Sequence, residues 1–224
     1  MMVLAAGSLM VADSTPKDDV KAAATALGAS ANYTWKQKVE VPEGGFGAGT
    51  SDGKTEKNGY TSLSITSTFG DNTTTTQAFL KGTNGAINTP DNGWQSLAEA
   101  AQGGGRGSFL PRMLRNNKTP AVQAADLADG AKELKASDKG ISGDLTEDSA
   151  KTLMTFGRAT VTNPKGSVTF TVADGKLVKY SFHVTGSADF NGNPVDIDRT
   201  TTVEIKDVGT TKIEVPDDAK KKLE

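Results

Sequence analysis

Apolar and polar residues alternate along most of residues 166–216. The large apolar side chains on one side of this pattern are Val168, Phe170, Val172, Val178, Tyr180, Phe182 and Val184. A two-residue period is typical of a strand with one buried face. Turn-forming pairs interrupt it at Asp174-Gly175, Asn191-Gly192 and Val208-Gly209. The segment therefore predicts an antiparallel meander, whose third and fourth strands cover residues 195–206 and 211–215.

A helix and a second block of strands precede the meander. Thr15-Pro16 is a cap followed by a first-turn proline, and apolar residues then recur at helical spacing until Gly28. Pro42 ends the first strand pattern, and the glycine-rich stretch after it predicts a loop. The predicted strands of this block are residues 33–41, 60–69, 73–81 and 86–89. The second and third of these flank Gly70-Asp71-Asn72 and so predict a hairpin.

Between the two strand blocks the apolar period becomes helical. Predicted helices begin at Trp94, after Ser108, at Pro120 and at Thr146, and the third carries its apolar face to Leu134. The residues after Pro216 predict a short helical or frayed tail. Neither strand block can close a core alone. The order of elements predicts an α+β fold, in which one curved antiparallel sheet wraps a helical middle segment.

The first twelve residues (MMVLAAGSLMVA) are uncharged and mostly apolar. They resemble the hydrophobic part and cleavage side of a secretion signal, without its positive beginning. We interpret residues 1–12 as a remnant of such a signal and residues 13–224 as a single domain; the alternative is a buried N-terminal strand or helix. No other run approaches the roughly 18 apolar residues of a membrane span.

Composition excludes several classes of function. The chain has no cysteine, which rules out disulfides, thiolate metal sites, a cysteine nucleophile and a lipid-anchoring cysteine. Its formal net charge of −2 provides no overall field that would attract nucleic acid or an anionic membrane surface. Only 35% of the residues are hydrophobic, as expected when one face of a sheet meets water. Nucleic acid is therefore not an expected partner.

Two loops resemble ligand motifs without completing them. Residues 48–55 (AGTSDGKT) match a permissive phosphate-loop pattern, but a strand pattern rather than a helix follows, so we expect no nucleotide there. The oxygen-bearing residues near the second turn are Asp189, Asn191, Asn193, Asp196 and Asp198. They open like a calcium loop, but Thr200 stands in place of the bidentate glutamate. A hairpin turn at Asn191-Gly192 is the preferred interpretation, with a weak calcium site as the alternative.

His183 is the only histidine and would have to serve in any Ser-His-Asp triad. It alternates with Phe182 and Val184, so we expect it on the polar, solvent-facing side of its strand. No Gly-x-Ser-x-Gly elbow accompanies it. The sequence therefore identifies no catalytic residue and no metal or cofactor site.

The aromatic residues of the predicted strands form the remaining candidate site. Those taken as candidate ligand-binding residues are Tyr33, Trp35, Phe79, Phe170, Tyr180 and Phe182, and Phe69 shares the same pattern. Aromatic side chains bury large areas wherever a sheet meets helices, so one interpretation is that they fill the core. The other is that some of them line a cavity for an apolar ligand.

Parts of the chain resemble the LolA/LppX-like periplasmic proteins. The resemblance rests on residues 195–209 (VDIDRTTTVEIKDVG) followed by 212–216 (KIEVP), on Tyr33-Thr34-Trp35, and on the strand at 175–184. The fold of that superfamily is a half-open, strongly curved antiparallel sheet with helices in its concavity. Its known members carry lipoproteins or lipids between membranes. The resemblance implies this fold and a periplasmic carrier, although the chain lacks the anchoring cysteine of the lipidated members.

Three hypotheses follow from these observations. The first is an exported, non-enzymatic binding protein, periplasmic or secreted, that carries a lipid or another apolar ligand. The second is a secreted interaction or sensory module with the same scaffold, a filled core and no small-molecule ligand. The third is a hydrolase that uses carboxylates or His183. A continuous apolar cavity would separate the first from the second, and converging polar groups in a cleft would support the third.

Overall fold

The computed structural model describes residues 14–43, 47–69, 72–102, 109–155, 159–189 and 192–223. In these ranges six helices accompany the strands. They are α1 (Pro16–Ala29), α2 (Leu97–Gln102), α3 (Phe109–Arg115), α4 (Pro120–Asp129), α5 (Glu147–Met154) and α6 (Asp217–Lys220). None of the helices in the described ranges has the length and apolar character needed to cross a membrane.

The described strands form one 11-stranded antiparallel sheet. The strands before the helical middle are β1 (Asn32–Glu40), β2 (Gly49–Glu56), β3 (Thr61–Phe69), β4 (Asn72–Lys81), β5 (Asn84–Thr89) and β6 (Gly93–Ser96). The others are β7 (Lys135–Ser137), β8 (Gly140–Asp144), β9 (Thr160–Ala173), β10 (Lys176–Asp189) and β11 (Pro194–Lys206). Their order is β6-β5-β4-β3-β2-β1-β11-β10-β9-β8-β7, so β6 and β7 are the edges and the sheet is open.

Pairing of β1 with β11 joins the two halves of the sheet, with Trp35 opposite Ile205. Helices α1 to α5 pack on one face, where a single core contains residues of all five and of both sheet halves. Register shifts in the β9–β10 pairing, at 177–179 and 185–187, mark bulges that bend these long strands. The predicted fold class, an α+β chain with a curved antiparallel sheet wrapped around a helical middle segment, is confirmed.

Helix α1 forms where its sequence signals predict it. Thr15 accepts a hydrogen bond from the N–H of Asp18, and the Asp18 carboxylate accepts one from the Thr15 N–H. This capping box satisfies N–H groups that the first turn leaves without helical partners. The buried face of the helix consists of Val20, Ala23, Ala24 and Leu27, as the spacing predicted.

The prediction of a loop between the first two strands is wrong for residues 49–56, which form β2. This strand pairs with β1 on one side and β3 on the other. Its inward positions are Gly53 and Thr55, which carry no large apolar side chain. Alternation of apolar residues therefore could not reveal it. No helix follows Thr55, because the chain turns and enters β3 at Thr61.

The predicted starts and ends of two middle helices are wrong. Trp94 lies in β6 opposite Asn88, and α2 begins only at Leu97. Helix α4 ends at Asp129 rather than 134, with Gly130 as its C-cap beside the Ser149 side chain. The short strands β7 and β8 follow and were not predicted. The proposed cap at Ser108 lies outside the described residues.

The prediction of a last strand over residues 211–215 is also wrong. The neighbouring strand β1 already pairs with both β2 and β11, so no edge is left beside it for another strand. Backbone N–H groups of this segment donate hydrogen bonds to side chains instead. The Thr211 N–H donates to Oδ1 of Asn32 at 2.7 Å, and the Ile213 N–H donates to Oε1 of Glu56 at 2.9 Å. The meander itself is present, although β9 begins at Thr160, earlier than predicted.

Candidate functional site

Five of the six predicted aromatic residues share the main core. They are Tyr33, Trp35, Phe170, Tyr180 and Phe182, and each is at most 6% exposed. All five lie on the sheet face that meets the helices, as alternation predicted. Phe69 also lies on β3, but its side chain is outside the described set.

Phe79 does not belong with these five, contrary to the inward face on which alternation placed it. Its neighbours Ala78 and Leu80 belong to the main core, so Phe79 points to the opposite face of β4. There it packs with Trp94, at 5.5 Å between ring centroids, beneath the C-terminal segment. Ala78, Phe79 and Leu80 are all buried, so β4 has two buried faces. The prediction assumed one buried face and therefore put Phe79 on the wrong side.

Trp35 is held by β2. It lies opposite Gly53 in the β1–β2 pairing, and its indole ring fills the space that a side chain at Gly53 would occupy. The indole Nε1–H donates to Oγ1 of Thr55 at 3.1 Å. The ring is therefore fixed by packing and by a hydrogen bond.

Tyr180 is held by α4. Its hydroxyl donates to Oε1 of Gln123 at 2.7 Å, and its ring lies 6.4 Å from that of Phe170. Burial raises the pKa of Tyr180 well above its usual value, and the nearby Tyr33 adds to the rise. Tyr180 therefore stays neutral at any physiological pH and acts as a hydrogen-bond donor.

A cleft of about 240 Å³ opens where α1 ends, β2 ends and α4 begins. Its lining residues are Gly28, Ser30, Tyr33, Thr55, Glu56, Lys57, Asn58, Thr119, Ala121 and Val122. Its apolar lining includes the side chains of Tyr33, Ala121 and Val122, and its polar lining includes Thr55 and Thr119.

The Tyr33 hydroxyl is the most unusual group in this cleft. It is buried, and it has no hydrogen-bond partner of regular geometry in the described ranges. Burial raises the pKa of Tyr33, and the hydroxyls of Thr119 and Thr55 and the backbone N–H of Ala121 partly offset the rise. A buried hydroxyl without a partner costs about 1–3 kcal/mol of folding free energy. The Tyr33 hydroxyl thus lies buried near these three polar groups, without a hydrogen bond of regular geometry to any described residue.

The first turn of α4 faces the same cleft. Thr119 is the N-cap, but its side chain makes no capping hydrogen bond, and Pro120 occupies the first helical position. Helix N-termini carry partial positive charge and N–H groups without helical partners. Together with the Tyr33 hydroxyl, this turn favours an acceptor such as a carboxylate, ester or phosphate oxygen.

Lys57 and Glu56 are the charged residues of the cleft. Lys57 is exposed at the rim. The Glu56 carboxylate accepts a hydrogen bond from the Ile213 N–H and is thereby directed toward the C-terminal segment. Lys57 therefore supplies a positive charge at the rim, beside the negative charge of Glu56.

His183 lies on the solvent-facing side of β10, as predicted. Its Nε2 is 2.8 Å from Oδ1 of Asp198 on β11, and both side chains are about half exposed. His183 faces Thr200 in the pairing, so Asp198 is a diagonal cross-strand neighbour. Ordinary contacts within the sheet account for this pair, which gives no support to the hydrolase hypothesis.

The residues that resemble the start of a calcium loop run from Asp189, at the end of β10, to Asp196 and Asp198 on β11. Oδ1 of Asp189 accepts a hydrogen bond from the Gly192 N–H at 2.6 Å. Asn191 lies outside the described residues. In the ranges that the structure describes, no three acidic or histidine side chains are grouped to hold a metal ion.

Tyr33 was a candidate from the sequence, whereas the other residues that line the cleft were not. Thr119, Ala121 and Val122 come from the start of α4, and Lys57 comes from the turn after β2. The Thr119-Pro120 pair predicted a helix start at this point. It carried no sign that the start of this helix would lie beside the Tyr33 hydroxyl.

No protein-family model matches the chain, and no curated protein matches it. Among solved structures it is similar to LprF from Mycobacterium bovis, with a TM-score of 0.46 and 10% identity over 91% of this chain and 97% of that one. It is also similar to a LolA superfamily protein from Nitrosomonas europaea, with a TM-score of 0.33 and 10% identity over 90% and 96% of the two chains. The sequence predicted a distant resemblance to LolA/LppX-like proteins, and the second of these two similar structures is of a LolA superfamily protein.

Proposed function

We propose that this chain is an exported, non-enzymatic binding protein that carries an amphipathic ligand in the cleft beside Tyr33. Such a ligand has an apolar chain, as a lipid or fatty acid does, and an oxygen acceptor at one end. The observation that carries the proposal is Tyr33, whose side chain lines the cleft and whose buried hydroxyl has no regular hydrogen-bond partner among the described residues. A bound acceptor would recover the free energy that this burial costs.

The size of the cleft limits what it encloses. Its volume of about 240 Å³ is smaller than the ~300–1,000 Å³ of sites that enclose a drug-sized ligand. The cleft therefore takes a short molecule or one end of a longer chain. We assign the ligand contact to Tyr33, while Trp35, Phe170, Tyr180 and Phe182 form the packed wall behind it.

Export is part of the proposal. We take residues 1–12 as the remnant of a secretion signal and residues 13–224 as one domain, located in the periplasm or outside the cell. The capping box at Thr15 supports this, because a stable helix begins directly after the expected cleavage point. The mass of the mature protein from its native host checks it; a chain that retains residues 1–12 would contradict it.

The second candidate function is an interaction module without a small-molecule ligand. It is favoured by the packing of Trp35 against Gly53 and by the hydrogen bond between Tyr180 and Gln123. In this alternative the buried aromatics serve only the fold, and the cleft contains water.

Tyr33→Phe separates the two candidates. Dodecanoate is titrated into the Trp94→Phe variant, in which Trp35 is the only tryptophan. We expect a change in Trp35 emission and a rise in melting temperature, because a ligand that binds only the folded state stabilises it. Tyr33→Phe should weaken binding about tenfold or more, the value of a hydrogen bond to a charged acceptor. Without ligand, this variant should be at least as stable as the parent.

Tyr180→Phe is the matched control, because it removes the other buried hydroxyl from the same region. That hydroxyl has a partner, so its loss should lower the free energy of unfolding by about 1 kcal/mol. Dodecanoate affinity should change less than it does in Tyr33→Phe. If neither emission nor melting temperature responds to ligand, or if Tyr33→Phe binds as tightly as the parent, the binding proposal is wrong.

A further inference from the structure

The net charge of −2 hides an uneven distribution along the chain. Residues 109–125 contain Arg112, Arg115 and Lys118 but no aspartate or glutamate. This segment covers α3, the connection after it and the start of α4. A locally basic segment therefore lies in a chain whose total charge is slightly negative.

Helix α3 turns two large apolar side chains toward solvent. Phe109 is 51% exposed and Met113 is 43% exposed, and their spacing of four residues places them on one face. Pro111 and Leu114 are buried on the opposite face, which anchors the helix to the protein. The other large apolar residues of similar exposure in the described ranges are Val122, Val195 and Val208. These three are isolated valines on other segments, so only α3 pairs two such side chains.

Arg112 and Arg115 are the basic residues on the exposed side of α3, and Arg112 lies next to the apolar pair. Both are exposed, and neither forms an ion pair with any carboxylate in the part of the chain that the structure describes. Lys118, by contrast, lies 2.7 Å from a carboxylate oxygen of Asp126. The two arginines of α3 therefore retain positive charge for a partner.

We propose that the outward face of α3, formed by Phe109, Arg112, Met113 and Arg115, docks on an anionic lipid surface. Apolar side chains that enter the headgroup region, beside basic side chains that meet anionic headgroups, are characteristic of interfacial helices. Arginine suits this position, because its long apolar stem follows the buried side chains while its guanidinium stays at the headgroups. An acidic protein would meet the charge of the two arginines but would not require solvent-exposed apolar side chains next to them.

The position of α3 relative to the cleft fits this partner. Four residues, 116–119, join α3 to the first turn of α4, which lines the cleft. The connection spans at most about 18 Å between Arg115 and Pro120. Docking through α3 would therefore hold the mouth of the cleft near the lipid surface. The docking proposal does not depend on the ligand proposal, since α3 itself does not line the cleft.

Vesicle co-sedimentation tests the proposal with the full chain. The probes are phosphatidylcholine vesicles with and without phosphatidylglycerol, at low and high sodium chloride. We expect binding to the anionic vesicles that weakens with salt and is much weaker on pure phosphatidylcholine. Arg112→Gln with Arg115→Gln should reduce partitioning about thirtyfold, from roughly 1 kcal/mol per basic residue. Phe109→Ser with Met113→Ser should reduce it by about tenfold or more.

Two double variants provide matched controls. Lys139→Gln with Lys176→Gln removes the same charge from exposed sites elsewhere, and Val195→Ser with Val208→Ser removes two comparably exposed apolar side chains. Both should bind vesicles as the parent does, and melting temperatures verify that every variant is folded. The proposal is wrong if the parent protein binds anionic and neutral vesicles equally. It is also wrong if the two control variants lose as much vesicle binding as the α3 variants, or if Phe109→Ser with Met113→Ser leaves vesicle binding unchanged. The last outcome would indicate plain electrostatic attraction, and the first would leave an acidic protein as the partner of this surface.

Discussion

Replacing Trp35 by alanine is expected to lower the free energy of unfolding by about 3–5 kcal/mol. Trp35 is 6% exposed and belongs to the main core, so its removal loses a large apolar area and leaves a cavity. The substitution also leaves Oγ1 of Thr55 without the indole N–H that it accepts at 3.1 Å. Neighbouring strands hold the site on both sides, because β1 pairs with β2 and β11, which limits collapse of the cavity.

Urea unfolding measures the Trp35→Ala effect, with Trp94→Ala as the control. Trp94 is only partly buried on the edge strand β6, so its loss should cost clearly less. A loss below about 1 kcal/mol at Trp35 would mean that this side chain is not packed as the structure shows.

Gly53→Ala is expected to destabilise the fold by about 1–3 kcal/mol, although alanine normally suits a strand better than glycine. A methyl group at this position would overlap the indole ring of Trp35. The ring cannot move away freely, because it is buried and its N–H is bonded to Thr55. The strain should therefore appear as a lower midpoint in urea unfolding.

Gly28→Ala is the matched control for Gly53→Ala. The added methyl group would lie 3.4 Å from Cβ of Ala121, which is an ordinary contact, and the helix α1 gains from alanine. This variant should be as stable as the parent or more stable. In a Trp35→Ala background the Gly53→Ala penalty should largely disappear, because the ring that causes the overlap is absent. An undiminished penalty in that background would show that the indole is not its cause.

The long strands of the C-terminal half could be predicted from the sequence, because Phe170, Tyr180 and Phe182 repeat at the period of a half-buried strand. Strand β2 could not be predicted in this way. Its inner side is made of Gly53 and Thr55, and the large side chain that covers them, Trp35, is supplied by β1. When one strand provides the volume for its neighbour, the neighbour's own sequence carries no apolar signal.

At the cleft, the sequence pattern also indicated one lining residue but not its neighbours. Tyr33 was a candidate because strand alternation turned it inward, and its burial confirms that direction. Thr119 and Val122 were not candidates, because they reach the cleft through the packing of α4 against α1. Such packing brings together the ends of elements that are distant in the chain. A periodic pattern gives the inward face of each element, but it does not give which ends meet.

The most direct test of the proposed carrier function is native mass spectrometry of the protein purified from bacterial cells, followed by organic extraction. We expect a population of protein whose mass exceeds that of the chain by the mass of one amphipathic molecule. The organic extract should contain a fatty acid or lipid whose mass equals this difference. Tyr33→Phe should carry less of it, whereas Tyr180→Phe should retain it. Parent protein that is entirely free of bound molecules, and that stays free after incubation with fatty acids and phospholipids, would contradict the account.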